Sequence, residues 1–176
     1  MRIGIFGGSF DPVHNGHLAL AGACQDQAAL DQVWFTPAAQ QPLKPGGPVA
    51  DAEHRARMIE LAIGDHNAFR LSRIELDRGG VSYTIDTLRE IQKARPGDKL
   101  FLLLGADAMA DLPNWYQPQE ILQLATPLVV PRGEPTSVGA EQTIEMPPIE
   151  ISSSDIRRRV AVAEAIDALV PAAAVA

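Results

Sequence analysis

Residues able to do chemistry concentrate in one short stretch, Gly7-Gly8-Ser9-Phe10-Asp11-Pro12-Val13-His14-Asn15-Gly16-His17. The preceding Arg2–Phe6 reads as a buried strand, and a helix is predicted from about Gly16 to Leu30 with apolar Leu18, Leu20, Ala21 and Cys24. The loop therefore joins the carboxyl end of a strand to the amino end of a helix, where an open parallel sheet holds its ligands. Gly7 and Gly8 permit close backbone approach. His14 and His17 are three apart and face one side as the helix begins. Unpaired N–H groups and the helix dipole already favour phosphate there. Two imidazoles at that point suit the negative charge of a phosphoryl-transfer transition state. Taken alone, a His-x-x-His beside a turn is commonly surface decoration, and paired glycines commonly just shape a turn. The joined pattern is more specific. It is neither a Walker A loop, lacking Gly-Lys-Ser/Thr, nor a Gly-x-Gly-x-x-Gly fingerprint.

The elements that must position this loop follow from periodicity and punctuation. Gln32–Phe35 reads as a second strand, followed by an irregular loop, Pro37–Val49, with four prolines and two glycines. Asp51 is placed to cap a helix whose apolar face carries Met58, Ile59, Leu61, Ala62 and Ile63. A strand is predicted around Arg70–Glu75, then a helix from about Thr84 to Ala94, stopped by Pro96-Gly97. Lys99–Leu104 is the clearest buried strand, broken at Gly105-Ala106-Asp107. A helix around Pro118–Ala125, a strand Leu128–Val130, a second Gly/Pro-rich loop, Pro131–Gly139, and a helix Ser152–Val162 complete the chain. Serines and Asp155 suit the start of that last helix. Strands alternating with helices indicate βαβ units and a mostly parallel sheet. Trp34 and Cys24 read as core, His54 as part of a helix start and His66 as part of a turn.

The 176 residues suit one domain, with no internal repeat and no Ser/Gly linker. Fifteen Lys and Arg against 22 Asp and Glu give a net charge of −7. That balance argues against coating nucleic acid or binding an anionic membrane, which need a basic field. It leaves room for a small anion held by a few local cations. No apolar run is long enough to span a bilayer, and glycines interrupt the N-terminal stretch where a signal peptide is continuously apolar. One cysteine and four histidines are too few for a disulfide or a structural zinc cage. A cytoplasmic protein is expected.

The His loop resembles the signature of the nucleotidyltransferase superfamily with a His-x-Gly-His motif. Within it, the chain closely resembles the bacterial nicotinate-mononucleotide adenylyltransferases, from Arg2 to about Pro171. The shared segments include Val33-Trp34-Phe35-Thr36-Pro37, Pro42-Leu43-Lys44-Pro45 and His54-Arg55-Ala56-Arg57-Met58. They continue through Ser82-Tyr83-Thr84-Ile85-Asp86-Thr87-Leu88, Gly105-Ala106-Asp107, Leu112-Pro113-Asn114-Trp115 and Ile151-Ser152-Ser153-Ser154-Asp155-Ile156-Arg157. The His loop names only the superfamily; the Ser-Tyr-Thr and Asn-Trp segments point to this branch. The fold expected is α/β, a Rossmann-like doubly wound parallel sheet with helices on both faces, in a single domain over residues 1–176.

The resemblance implies transfer of the ATP adenylyl group to nicotinate mononucleotide, giving nicotinate adenine dinucleotide and pyrophosphate. His14, His17, Lys44 and Arg157 are then the catalytic candidates. Gly7, Gly8, Phe10, Gly105, Asp107, Ser153 and Ser154, with His14, His17 and Arg157, would meet ATP. Ser9, Lys44, Tyr83, Thr84, Asp107 and Trp115 would meet the mononucleotide. Backbone N–H groups near Tyr83-Thr84 suit a carboxylate, and Trp115 offers a face for the pyridine ring. Competing readings are a solvated surface Lys44, a capping Asp107, a helix cap and exposed basic face at Ser153–Arg157, and a packing Trp115. Magnesium is expected on the ATP phosphates, mostly through water and without a protein cage. The small molecules would be the only partners named, with the chain a monomer or homo-oligomer.

Two departures from the family pattern stand out. Leu43-Lys44 replaces the usual His-Lys, and Leu169-Val170-Pro171 is followed only by five small residues, so the closing helix is expected to be truncated. The enzyme alternative is a related adenylyltransferase acting on nicotinamide mononucleotide or phosphopantetheine. A non-catalytic nucleotide-sensing domain is the alternative from another class.

Overall fold

The structure, a computed structural model, describes residues 1–43, 46–131 and 142–174. The chain alternates strand and helix: β1 (Arg2–Gly8), α1 (Asn15–Gln27), β2 (Gln32–Pro37), α2 (Ala52–Ile63), β3 (Phe69–Leu71), α3 (Ile74–Arg78) and α4 (Thr84–Ala94). It continues with β4 (Lys99–Gly105), α5 (Ala106–Asp111), α6 (Pro118–Leu124), β5 (Ala125–Val130), β6 (Gln142–Thr143) and α7 (Ser153–Ala161). The six strands form one sheet in the order β3-β2-β1-β4-β5-β6, and every pairing is parallel.

That order sets the place of any ligand. The chain winds outward from β1 to β3, then crosses to β4 on the other side of β1. The loops after β1 and β4 therefore diverge, leaving a crevice at the carboxyl ends of these two strands. Gly7-Gly8 ends one strand and Gly105 ends the other.

Both faces of the sheet are covered, as strand periodicity requires. Phe101 and Leu103 of β4 join a core with Phe6, Phe35, Ala21, Cys24 and Ile59, under α1 and α2. Leu100, Leu102 and Leu104 point to the opposite core, with Ile3, Ile5, Ile85, Leu88 and Ile121, under α4, α5 and α6. Strands buried on both faces read as continuous apolar runs, which is why Lys99–Leu104 was so plain in the sequence. Gly4 lies in the middle of the first core, where an added Cβ would come within 2.7 Å of Leu30 Cδ1 and 2.8 Å of Leu103 Cδ1. A side chain at position 4 would have to displace the ends of these two leucines.

Local chemistry accounts for the helix starts. The Asp51 carboxylate accepts from the His54 N–H at 2.9 Å and caps α2, and Ser152 Oγ accepts from the Asp155 N–H at 3.1 Å and caps α7. One expectation needs correction. The strand predicted around 70–75 is only Phe69–Leu71, and Ile74–Arg78 is the helix α3. The Ser72 N–H still donates to the Phe35 carbonyl, but the chain then turns away, and Arg73 pairs with Asp77 one turn on at 3.4 Å. Gly79, at φ 69°, ends the helix. Trp34 is half-buried at the edge of its core, with its Nε1 donating to Gln32 Oε1. Cys24 is fully buried, and burial pushes its thiol up to about 12. No described helix is long and apolar enough to cross a membrane.

Candidate functional site

The first loop leaves β1 and crosses the top of the sheet into α1. Phe10 takes φ 48°, a conformation L side chains rarely adopt. Its ring is driven under the loop, 5.3 Å from the Phe6 ring, 5.0 Å from His17 and 5.7 Å from Phe35. Burial of that ring offsets the backbone strain. Phe10 thus supports the loop from below, its ring against Gly8.

His14 and His17 stack face to face, with ring centroids 3.7 Å apart. The His14 N–H donates to His17 Nδ1 at 3.2 Å. An acceptor at Nδ1 leaves Nε2 as the protonated nitrogen of neutral His17. The start of α7 docks on the same loop. Ser153 Oγ donates to the Pro12 carbonyl at 2.8 Å, and Arg157 donates to the Asp11 carbonyl at 2.5 Å and to Ser154 Oγ at 3.3 Å. The amino ends of α1 and α7, two imidazoles and a guanidinium therefore gather around residues 11–17.

Beside this loop lies a cavity of about 790 Å³ at the crevice between β1 and β4. Gly7, Gly8, Tyr83, Thr84, Gly105, Asp107 and Trp115 all line it. Around Gly7 and Gly105 an added Cβ would meet nothing within 4 Å, so both present bare backbone. Helix α4 begins at the cavity with no side-chain cap, leaving N–H groups at its first turn. Asp107 sits in the first turn of α5, whose N-cap is Gly105, so the capping reading of Asp107 is set aside. Trp115 combines both readings: it packs on the core, donates from Nε1 to Asp111 at 3.2 Å, and keeps its ring at the cavity wall.

The candidates therefore fall into two groups flanking one loop. His14, His17, Ser153, Ser154 and Arg157 gather at residues 11–17 and are not among the residues lining the cavity. Ser9 bridges the groups, donating to Gln41 Oε1 at 3.0 Å, and Gln41 does line it. Lys44 lies outside the described residues. Among the described residues no three His, Cys, Asp or Glu side chains are grouped to hold a metal ion.

Several polar residues at the site were not singled out from the sequence. Asp11 is buried and accepts from the Val49 N–H at 2.7 Å and the Ala50 N–H at 3.1 Å. Arg55 is 1 % exposed and donates to the carbonyls of Ser9 at 2.7 Å and Ala50 at 3.2 Å. Burial pushes its pKa down, opposed by the charges of Asp11 and Asp51. Its signal was a charge beside Ala56 and Ile59 on the apolar side of α2. Glu75 lines the cavity from α3, and burial raises its carboxyl pKa against opposing hydrogen bonds from Thr87 and Ser82 and the charge of Arg78.

Comparison with known proteins places these features in a family. Residues 5–159 match the cytidylyltransferase-like family. The chain is 44 % identical over 176 residues to a probable nicotinate-nucleotide adenylyltransferase of Thermus thermophilus, covering 98 % of this chain and 94 % of the relative. It is 38 % identical over 174 residues to the Bacillus pumilus protein of the same description, covering 98 % and 92 %. In fold it resembles the Plasmodium falciparum nicotinic acid mononucleotide adenylyltransferase complexed with NaAD, with a TM-score of 0.82 at 19 % identity over 99 % of this chain and 92 % of that one. The chain thus has relatives along nearly its whole length and belongs to the nicotinate-nucleotide adenylyltransferases of the cytidylyltransferase-like family.

Proposed function

We propose that this chain transfers the adenylyl group of ATP to nicotinate mononucleotide, with the acceptor's pyridine end in the 790 Å³ cavity and the ATP phosphates over the His14–His17 loop. The observation that carries this reading is the adjacency of two differently built halves. One offers an uncapped helix start and an indole, suited to an aromatic anion; the other offers imidazoles, helix N-termini and Arg157, suited to a polyphosphate.

The acceptor phosphate oxygen attacks the α-phosphorus, the bond from that phosphorus to the bridging oxygen breaks, and pyrophosphate leaves with the electron pair. A phosphate monoester with a second pKa near about 6 is already a dianion at neutral pH, so no strong base is needed. Alignment of the two phosphates supplies much of the acceleration. His17 Nε2–H, His14, Lys44 and Arg157 then serve as cationic or donating groups toward the phosphate oxygens. Gly7 and Gly105 give ribose and base unobstructed backbone, with Gly8 over Phe10 and Asp107 beside them. Ser153 holds the α7 start against the loop, and Ser154 steadies Arg157 beside the ATP phosphates. Magnesium enters with ATP as part of that substrate, and the charge it neutralises is on the phosphates.

Tyr83, Thr84 and Trp115 select the acceptor, because N–H groups at a helix start bind a carboxylate more strongly than a neutral amide. Ser9, through Gln41, borders the same acceptor. A cytoplasmic location and the absence of nucleic acid or membrane partners are consistent with an acidic chain acting on small phosphorylated molecules. The test is product analysis by mass spectrometry after incubation with ATP, magnesium and nicotinate mononucleotide. The reading requires the deamido dinucleotide and pyrophosphate in equal amounts; ATP hydrolysis without dinucleotide would overturn it.

A further inference from the structure

The acceptor wall hangs on a buried carboxyl that belongs to none of the shared segments quoted above. Glu75 is only 6 % exposed, yet its carboxylate accepts a hydrogen bond from another element. Thr87 Oγ1, from the first turns of α4, donates to Glu75 Oε1 at 2.8 Å, and Arg78 donates to the same Thr87 oxygen at 2.8 Å. The Ser82 side chain lies close enough to the Glu75 carboxyl to oppose the rise in its pKa. Ser82 Oγ in turn accepts from the Ala39 N–H at 3.0 Å, and the Ser82 N–H donates to the Gln40 carbonyl at 2.8 Å. Ser82 is thus tied to the segment after β2, and Glu75, beside it, is tied to α4.

The backbone between these anchors cannot set itself. Gly79 and Gly80 both take positive φ, 69° and 67°, and reverse the chain after α3. Tyr83 then enters α4 without a side-chain cap. Two glycines and an uncapped start leave the direction of the Thr84 N–H to outside contacts. The neighbours of the Glu75 carboxyl, Ser82 and Thr87, lie on either side of that start.

We propose that Glu75 is a positioning residue for the acceptor: it fixes the 79–84 turn and the first turn of α4, so that the N–H groups at Tyr83–Thr84 point into the cavity. This rests on the proposed function above, and it adds a residue that acts through others. Glu75 lines the same cavity as Gly7 and Trp115 but has no partner on the His14–His17 loop among the hydrogen bonds described. Its loss should therefore weaken one substrate only.

The experiment is steady-state kinetics of the full chain with both substrates varied, for wild type, Glu75→Ala, Glu75→Gln and Thr87→Val. Misplacement of a binding wall by about 1 Å costs on the order of 100-fold, so a KM for nicotinate mononucleotide raised at least about 10-fold is expected in Glu75→Ala. The KM for ATP should move less than about twofold, because none of the hydrogen bonds removed reaches the phosphate loop. Glu75→Gln keeps an acceptor for the Thr87 hydroxyl and should return the mononucleotide KM to within about threefold of wild type. Thr87→Val removes one anchor and should shift the same KM in the same direction, which carries the test if Glu75→Ala does not fold. Equal rises in both KM values, or an unchanged mononucleotide KM in Glu75→Ala and Thr87→Val, would overturn the proposal. If wild type itself shows no turnover of nicotinate mononucleotide, it is the proposed function that fails.

Discussion

Arg157 donates to the main-chain carbonyl of Asp11, 146 positions earlier in the chain, and stands 3.6 Å from the Asp11 carboxylate. The loop between β1 and α1 is thereby tied to α7. The same carboxylate takes two N–H groups from residues 49 and 50 and helps balance the buried charge of Arg55.

Asp11 should accordingly matter for stability and Arg157 for turnover. Removing one partner of a buried, hydrogen-bonded charge cluster costs about 3–5 kcal/mol, so Asp11→Ala should lose that much in urea unfolding. Arg157 is 37 % exposed, and its loss should cost under about 1 kcal/mol. Turnover of Arg157→Ala should nevertheless fall about 100-fold, the usual effect of deleting one donor to a transition-state oxygen. The opposite split would make Arg157 a structural strut.

His17 carries the clearest single prediction of rate. With Nδ1 accepting from the His14 N–H, Nε2 carries the proton of neutral His17, the one the proposed function directs at a phosphate oxygen. His17→Ala should reduce kcat by about 100-fold while leaving the KM for nicotinate mononucleotide within about threefold. A change of only a few-fold in kcat would reduce the residue to a packing role against Phe6 and Phe10.

The pH dependence of stability should carry a mark of Glu75. Burial raises its folded pKa above the ordinary 4.5, so the folded state holds the proton more tightly than the unfolded one. Stability from this group is complete below about 4.5 and is lost as pH rises through the folded value, after which the loss is constant. Glu75→Gln removes that titration. Its Tm should gain on wild type as pH is raised from 4 and then hold a steady difference. A Tm difference independent of pH would mean that the carboxyl does not titrate differently in the folded state.

Much of this architecture could be read before any coordinates, and the reasons are physical. Lys99–Leu104 stood out because both faces of β4 are buried, and Thr84–Ala94 because Ile85, Leu88 and Ile91 repeat on one face and Pro96-Gly97 stops the turn. The segment 70–75, Arg-Leu-Ser-Arg-Ile-Glu, has only two apolar residues, Leu71 and Ile74, too few for either a strand or a helix period to stand out. The helix-stop signal in Asp77-Arg78-Gly79-Gly80 was the better guide. Within the site, His14, His17, Gly7, Gly105 and Trp115 were recognisable from spacing and resemblance. Glu75, Asp11 and Arg55 were not, because each acts through partners far away in sequence: Thr87, Ala50 and Ser9.

Cys24 offers a check on the packing of the core beneath α1. Its thiol is fully buried and pushed up to about 12, so the reactive thiolate is scarce at neutral pH. The native protein should resist an aromatic disulfide reagent at pH 8, and one equivalent should react once urea unfolds the chain. Fast reaction in the native state would show that α1 opens from the sheet.

The most direct test of the account is pyrophosphate release with ATP and magnesium, comparing nicotinate mononucleotide with nicotinamide mononucleotide at equal concentrations. The uncapped start of α4 and the indole of Trp115 predict release that depends on the mononucleotide and is at least about 10-fold more efficient, in kcat/KM, for the nicotinate form. Release without an acceptor, or equal efficiency with both, would contradict it.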